Sequence, residues 1–151
     1  MDYKFIALII ATIILFTVLT TQGEQRDEKI IETYNYFVEA GYDDETAKTI
    51  VALAVLESGW FSAEIHVDKN NWFSIKDFKH PLCSSRPIKC LRRFESSHDC
   101  FEYMVEYFDN RDFPRENRSE FLDRLEVIGY AEDPDHRRKV ETVSNMIDRR
   151  L

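Results

Sequence analysis

Ile50-Val51-Ala52-Leu53-Ala54-Val55-Leu56 runs directly into Glu57-Ser58-Gly59, and the reading of this stretch decides the fold. Upstream, Asp43 or Asp44 is placed to cap a helix in which Ala47, Ile50, Val51, Ala54 and Val55 recur at helical period. From Ile50 to Leu56 the segment is apolar nearly all round, which is the pattern of a helix at the buried centre of a bundle. Gly59 suits the left-handed position that ends such a helix. A carboxylate, Glu57, therefore stands on the last turn of what should be the most buried helix in the chain.

The neighbouring segments supply the rest of the bundle. Ile30 to Ala40 carries apolar residues at helical spacing and Gly41 follows as a stop. Between Phe61 and Arg93 the period is lost, Pro81 and Pro87 interrupt, and a loop with one small hairpin is expected. Helical signals resume at Ser96-Ser97-His98-Asp99, which has the layout of a capping box. A further helix carries Phe121, Leu122, Leu125 and Ile128 and ends at Gly129. Asp133-Pro134 marks the start of the last, through Val140, Val143, Met146 and Ile147. The expected fold is mainly α: five or six helices around one buried helix, with a small irregular or β lobe.

The 151 residues carry a formal net charge of −8, and 44 % are apolar. An acidic surface is a poor match for nucleic acid, whose binding depends on Lys and Arg neutralising phosphates. Residues 5–19 form an apolar run interrupted by Thr12 and Thr17 and preceded by Lys4, the layout of an export signal. A helix of roughly 25 Å is short against a hydrocarbon core about 30 Å thick. Residues 1–23 are thus read as a cleaved signal peptide or a retained signal-anchor, and 24–151 as one domain. Either way the domain is expected outside the cytoplasm, membrane-anchored or secreted, and monomeric. Cys83 and Cys90 flank a Pro-containing stretch and can close a small loop in an oxidising compartment. Cys100 is left as a buried thiol. The three cysteines and four histidines lack the close pairs of zinc sites, so no metal or cofactor is expected.

Glu57 is the residue with the clearest chemical promise. Partial burial, the negative end of the helix dipole, and water exclusion by Trp60 and Phe61 all favour its protonated form. A carboxyl kept protonated near neutral pH can deliver a proton to a glycosidic leaving oxygen.

Ala52-Leu53-Ala54-Val55-Leu56-Glu57-Ser58-Gly59-Trp60 resembles the catalytic-helix signature of the bacterial glucosaminidases, glycoside hydrolase family seventy-three. Three further stretches follow in the family's order: Asn70-Asn71-Trp72-Phe73-Ser74-Ile75-Lys76, Leu91-Arg92-Arg93-Phe94-Glu95-Ser96 and Gly129-Tyr130-Ala131-Glu132-Asp133-Pro134. The resemblance implies a lysozyme-like fold and hydrolysis of the β-1,4 bond in peptidoglycan glycan strands, with Glu57 as acid. It places Tyr130 on the family's active-site tyrosine, with a phenol able to hold substrate or water. Trp60, Trp72 and Phe73 are expected to contact the sugars, and Asn71 to hold the loop beside them through side-chain to backbone bonds. Two departures stand out. Ser74 replaces the family's glycine, and the short lobe has no acid from Phe78 to Phe94. Asp77 and Glu95, flanking that gap, are the candidates for a second carboxylate. The competing readings are a lytic transglycosylase or lysozyme-type muramidase, and a degenerate membrane-tethered glycan-binding module.

Overall fold

The computed structural model describes the backbone of residues 3–77 and 90–151. Among these residues six helices follow one another: α1 (Tyr3–Glu39), α2 (Asp44–Ser58), α3 (Glu64–Val67), α4 (Ser97–Asp109), α5 (Arg118–Val127) and α6 (His136–Ile147). α2 is the centre, as its all-round apolar pattern requires: Ala47 and every residue from Ile50 to Val55 are wholly buried. It packs chiefly against α6 and α1, and also against α5.

Two aromatic clusters complete the core. Phe37, Phe73 and Phe101 meet with ring centroids 6.0 to 6.4 Å apart. Phe108, Phe113 and Phe121 meet at 4.9 to 5.0 Å. Edge-on and tilted pairs of this kind add to the area they bury because the positive ring edge meets a negative face.

The helix ends follow local rules. Asp43 accepts from Thr46 N at 2.7 Å, and Ser96 accepts from Asp99 N at 3.1 Å while donating to the Asp99 carboxylate at 2.8 Å. α6 begins two residues after Pro134, later than its sequence signal. Asp133 instead accepts from Asp135 N at 2.9 Å and holds one more turn outside the helix. α1 is continuous through Gly23. It contains no proline, and one glycine costs about 1 kcal/mol, too little to break a helix of this length. Among the described residues no helix is long and apolar enough to cross a membrane.

Among the described residues, the lobe between α3 and α4 is joined by one bridge and several side-chain hydrogen bonds. Its two edges meet at one antiparallel bridge, Lys76 with Leu91, flanked by Asp77 N to Cys90 O at 2.6 Å and Arg92 N to Ile75 O at 2.8 Å. Asn71, wholly buried, stitches both edges. Its Nδ2 donates to Ile75 O and Arg92 O, each at 2.8 Å, and its Oδ1 accepts from Ile75 N at 2.9 Å. Cys90 is buried; Cys83, its expected partner, lies outside the described residues, as does the tip of the expected hairpin.

Asn71→Ala leaves the Ile75 amide and two carbonyls without these partners inside the protein. An orphaned buried polar group costs about 1–3 kcal/mol. The variant is expected to lose about 3 kcal/mol of stability or more, read from the urea midpoint at constant slope.

Candidate active site

α2 ends in a Schellman turn. Gly59 N donates to Leu56 O at 3.4 Å and Trp60 N to Val55 O at 2.8 Å, with Gly59 at φ +60°. The left-handed path continues through Trp60 (φ +60°) and Phe61 (φ +55°). For side-chain-bearing residues this conformation costs roughly 1–2 kcal/mol each. The wholly buried hydroxyl of Ser58 offsets it, donating to Ala54 O at 2.6 Å and accepting from Phe61 N at 2.9 Å. Glu57, one residue before Ser58, is thereby set on a rigid, abruptly ended helix.

The Glu57 side chain is 22 % exposed and opens into a cleft of about 780 Å³. Phe73, Ser74, Ile75 and Lys76 of the lobe form one wall. Tyr103 and Tyr107 of α4, with Arg111 beyond its end, form another. Gly129, Tyr130, Ala131 and Glu132 of the α5–α6 connection close it. The α4 wall is braced by cations: the Arg111 guanidinium lies 3.7 Å from the Tyr107 ring centroid, and that of Arg92 lies 4.5 Å from Tyr103. Such a groove, with aromatic walls and with Glu57, Lys76, Arg111 and Glu132 among its polar groups, suits a ligand with alternating apolar faces and hydroxyl rims.

Two contacts tie the surrounding segments to Glu57, and a third spans the cleft beside it. Ser74 Oγ donates to Glu57 O at 3.2 Å, linking lobe to helix end. Ser74 adopts φ +55°, the conformation a glycine takes without strain, so the serine keeps the turn and adds a hydrogen bond. His136 Nε2 stands 3.4 Å from Glu57 Oε1 in a buried position, close enough for charge attraction but without hydrogen-bond geometry to any partner. Tyr130 donates its hydroxyl proton to Phe73 O at 3.2 Å, and its ring lies 6.0 Å from that of His136 and 6.3 Å from that of Tyr107. Burial first, and then the charge of Glu57, hold the Tyr130 phenol well above its ordinary value of 10. Its hydroxyl oxygen keeps lone pairs able to accept from a ligand.

The structure brings Glu57, Phe73 and Tyr130 together and sends other sequence candidates elsewhere. Trp60 lies against the Arg150 guanidinium, 5.1 Å from its ring centroid, and does not line the cleft. Trp72 is 4 % exposed, packs edge-on to Phe61, and donates Nε1 to Ser97 Oγ at 3.0 Å. It borders a separate hollow of about 630 Å³ beside α1. Asn71 spends its amide inside the lobe. Neither Asp77 nor the exposed Glu95 lines the cleft. His136 and Glu132 were not singled out by sequence; Glu132 follows Tyr130 in the α5–α6 connection and His136 opens α6 six residues after Tyr130, which was the available signal.

Cys100 is a free, buried thiol, pushed up to about 12 chiefly by burial. Among the described residues, His98, Asp99 and Glu102 bring three ligand atoms within 4.8 Å of one another, all exposed on α4 and none lining the cleft.

The sequence model of the glucosaminidases, described as mannosyl-glycoprotein endo-beta-N-acetylglucosaminidase, matches residues 29–149. No curated protein matches in sequence. Among solved structures, the chain is similar in fold to a peptidoglycan hydrolase from Sphingomonas sp. A1. That likeness has a TM-score of 0.61 and 24 % identity, and covers 79 % of this chain and 88 % of that one.

Because the Tyr130 phenol is raised in the folded protein, its contribution to stability is complete below pH 10 and is lost as pH rises beyond that. Tyr130→Phe should cost about 1 kcal/mol at pH 7, for the hydrogen bond to Phe73 O. Its stability should then fall less steeply than wild type above pH 10, measured by urea unfolding across pH 7 to 11.

Proposed function

We propose, for a chain that belongs to the glucosaminidase family, that it hydrolyses the β-1,4 bonds of peptidoglycan glycan strands, with Glu57 as general acid. Membership makes the chain a glycoside hydrolase. The observation that carries the finer reading is the place of Glu57: a carboxyl on the rigid end of the central helix, opening into an aromatic-walled cleft. A glycan chain laid along Tyr103, Tyr107 and Tyr130 would bring a glycosidic oxygen to that carboxyl. Glu57 would then give its proton to the leaving oxygen as the bond to the anomeric carbon breaks.

The surrounding residues support this role by position. Ser74 bonds the Glu57 backbone and the Ser58 turn closes the helix one residue on, which fixes the backbone from which the carboxyl extends. His136 Nε2 lies beside the carboxylate that remains once the proton has left. The Tyr130 ring neighbours both His136 and Tyr107 of the α4 wall. Similarity of fold to a peptidoglycan hydrolase is consistent with the substrate class. The export-like run at residues 5–19 favours action outside the cytoplasm, where such strands are found.

Glu57→Gln keeps the shape and removes the transferable proton. Turnover of purified peptidoglycan is expected to fall by about 10²-fold or more, with unchanged unfolding midpoint. Mass spectrometry of the wild-type digest should show reducing N-acetylglucosamine ends. Anhydro-muramic ends would refute a hydrolase, and a Glu57→Gln variant within threefold of wild type would refute the acid.

A further inference from the structure

A glycosidase that protonates the leaving group with one carboxyl needs a second group to deal with the water or the anomeric carbon. The acids flanking the lobe, Asp77 and Glu95, do not line the cleft. Among the described residues that do, the carboxylates are Glu57 and Glu132. We propose that Glu132 is the general base of this enzyme, activating the water that attacks the anomeric carbon; this rests on the reading of Glu57 as the acid.

The connection between α5 and α6 is built to hold Glu132 at the cleft. Gly129 turns the chain at φ +63°, and Tyr130 N then donates to Leu125 O at 3.0 Å. The Tyr130 hydroxyl bond to Phe73 O ties the same residue to the opposite wall. On the other side, Asp133 accepts from Asp135 N and pairs with Lys139. Glu132 therefore sits between two anchored residues.

The acids next to Glu132 in sequence are neutralised by α6, Asp133 by Lys139 and Asp135 by Arg138. Among the described residues Glu132 has no such ion pair, is exposed to solvent, and borders the cleft together with Tyr130 and Ala131. A base must be reachable by water and must border the reaction space, and Glu132 meets both conditions. Glu57, beside His136 and deeper at the helix end, does not compete for that role.

In the step so assigned, a Glu132 oxygen takes one proton of the water while the water oxygen bonds to the anomeric carbon. The bond from that carbon to the leaving oxygen breaks, and the leaving oxygen takes the proton held by Glu57. One water is consumed, and a proton returns from Glu132 to Glu57 through solvent. Attack opposite the leaving group inverts the anomeric centre.

The test uses the full chain on purified peptidoglycan, with Glu132→Gln, Asp77→Asn, Glu95→Gln and Glu57→Gln side by side and unfolding midpoints recorded for each. Glu132→Gln is expected to lose about 10²-fold or more of the rate with its midpoint unchanged. Added azide, which needs no base, should restore turnover and give a glycosyl azide of inverted configuration. Asp77→Asn and Glu95→Gln should stay near wild type. An inactive Glu57→Gln with Glu132→Gln within threefold of wild type overturns the base and leaves the acid standing. A loss that azide does not restore, or an azide product of retained configuration, also overturns it. An active Glu57→Gln overturns the acid reading itself, whatever Glu132 does.

Discussion

The hydroxyl of Ser58 is wholly buried and joins two backbone groups that would otherwise have none of its help: it donates to Ala54 O and accepts from Phe61 N. That pair of bonds closes α2 and carries the chain through three successive left-handed residues. Phe61 is thereby turned inward onto Trp72. Trp72 is in turn bonded to Ser97 at the start of α4. The end of the central helix, the lobe and the α4 wall thus share one chain of contacts. Glu57 stands at its origin. Strain at a helix end is tolerable here because the helix it ends is the most deeply packed element of the fold.

The second organising feature is the way the lobe is made. Among the described residues its two edges share one bridge, Lys76 with Leu91. Polar side chains take over: Asn71 bonds both edges, and Asn70 Nδ2 donates to Phe94 O and Glu95 O. Asn70, like Ser74, adopts a left-handed backbone, which asparagine tolerates better than most residues. The wall of the cleft opposite Tyr107 and Arg111 therefore depends on amide hydrogen bonds. The cleft also carries two cations, Lys76 on the lobe wall and Arg111 beyond α4, along with the carboxylates Glu57 and Glu132.

Much of this was legible in the sequence. The caps at Asp43 and Ser96, the stop at Gly59, the all-round burial of Ile50 to Val55 and the exceptional position of Glu57 follow from neighbours within one or two helical turns. The aromatic assignments divided. Phe73 and Tyr130 line the cleft, while Trp60 and Trp72 do not. An aromatic residue next to a catalytic carboxylate in sequence reads the same whether the backbone turns its ring toward the ligand or toward the core. Three left-handed residues in succession made that choice for Trp60.

Helical periodicity, capping and the terminal carboxylate are encoded locally, because hydrogen bonds between residues four apart and the burial of one helix face depend on near neighbours alone. The sequence by itself therefore determined a helical domain around α2 with Glu57 at its end. Which groups meet Glu57 was decided only by the tertiary structure. His136, Tyr130 and Glu132 arrive from a connection far along the chain. Their approach depends on how α6 packs against α2 and on the Tyr130 bond that spans the cleft to Phe73. The reason is geometric: local rules fix the turns of each helix, but a side chain's distance from a residue on another helix depends on how the two are rotated and docked, and the whole core sets that.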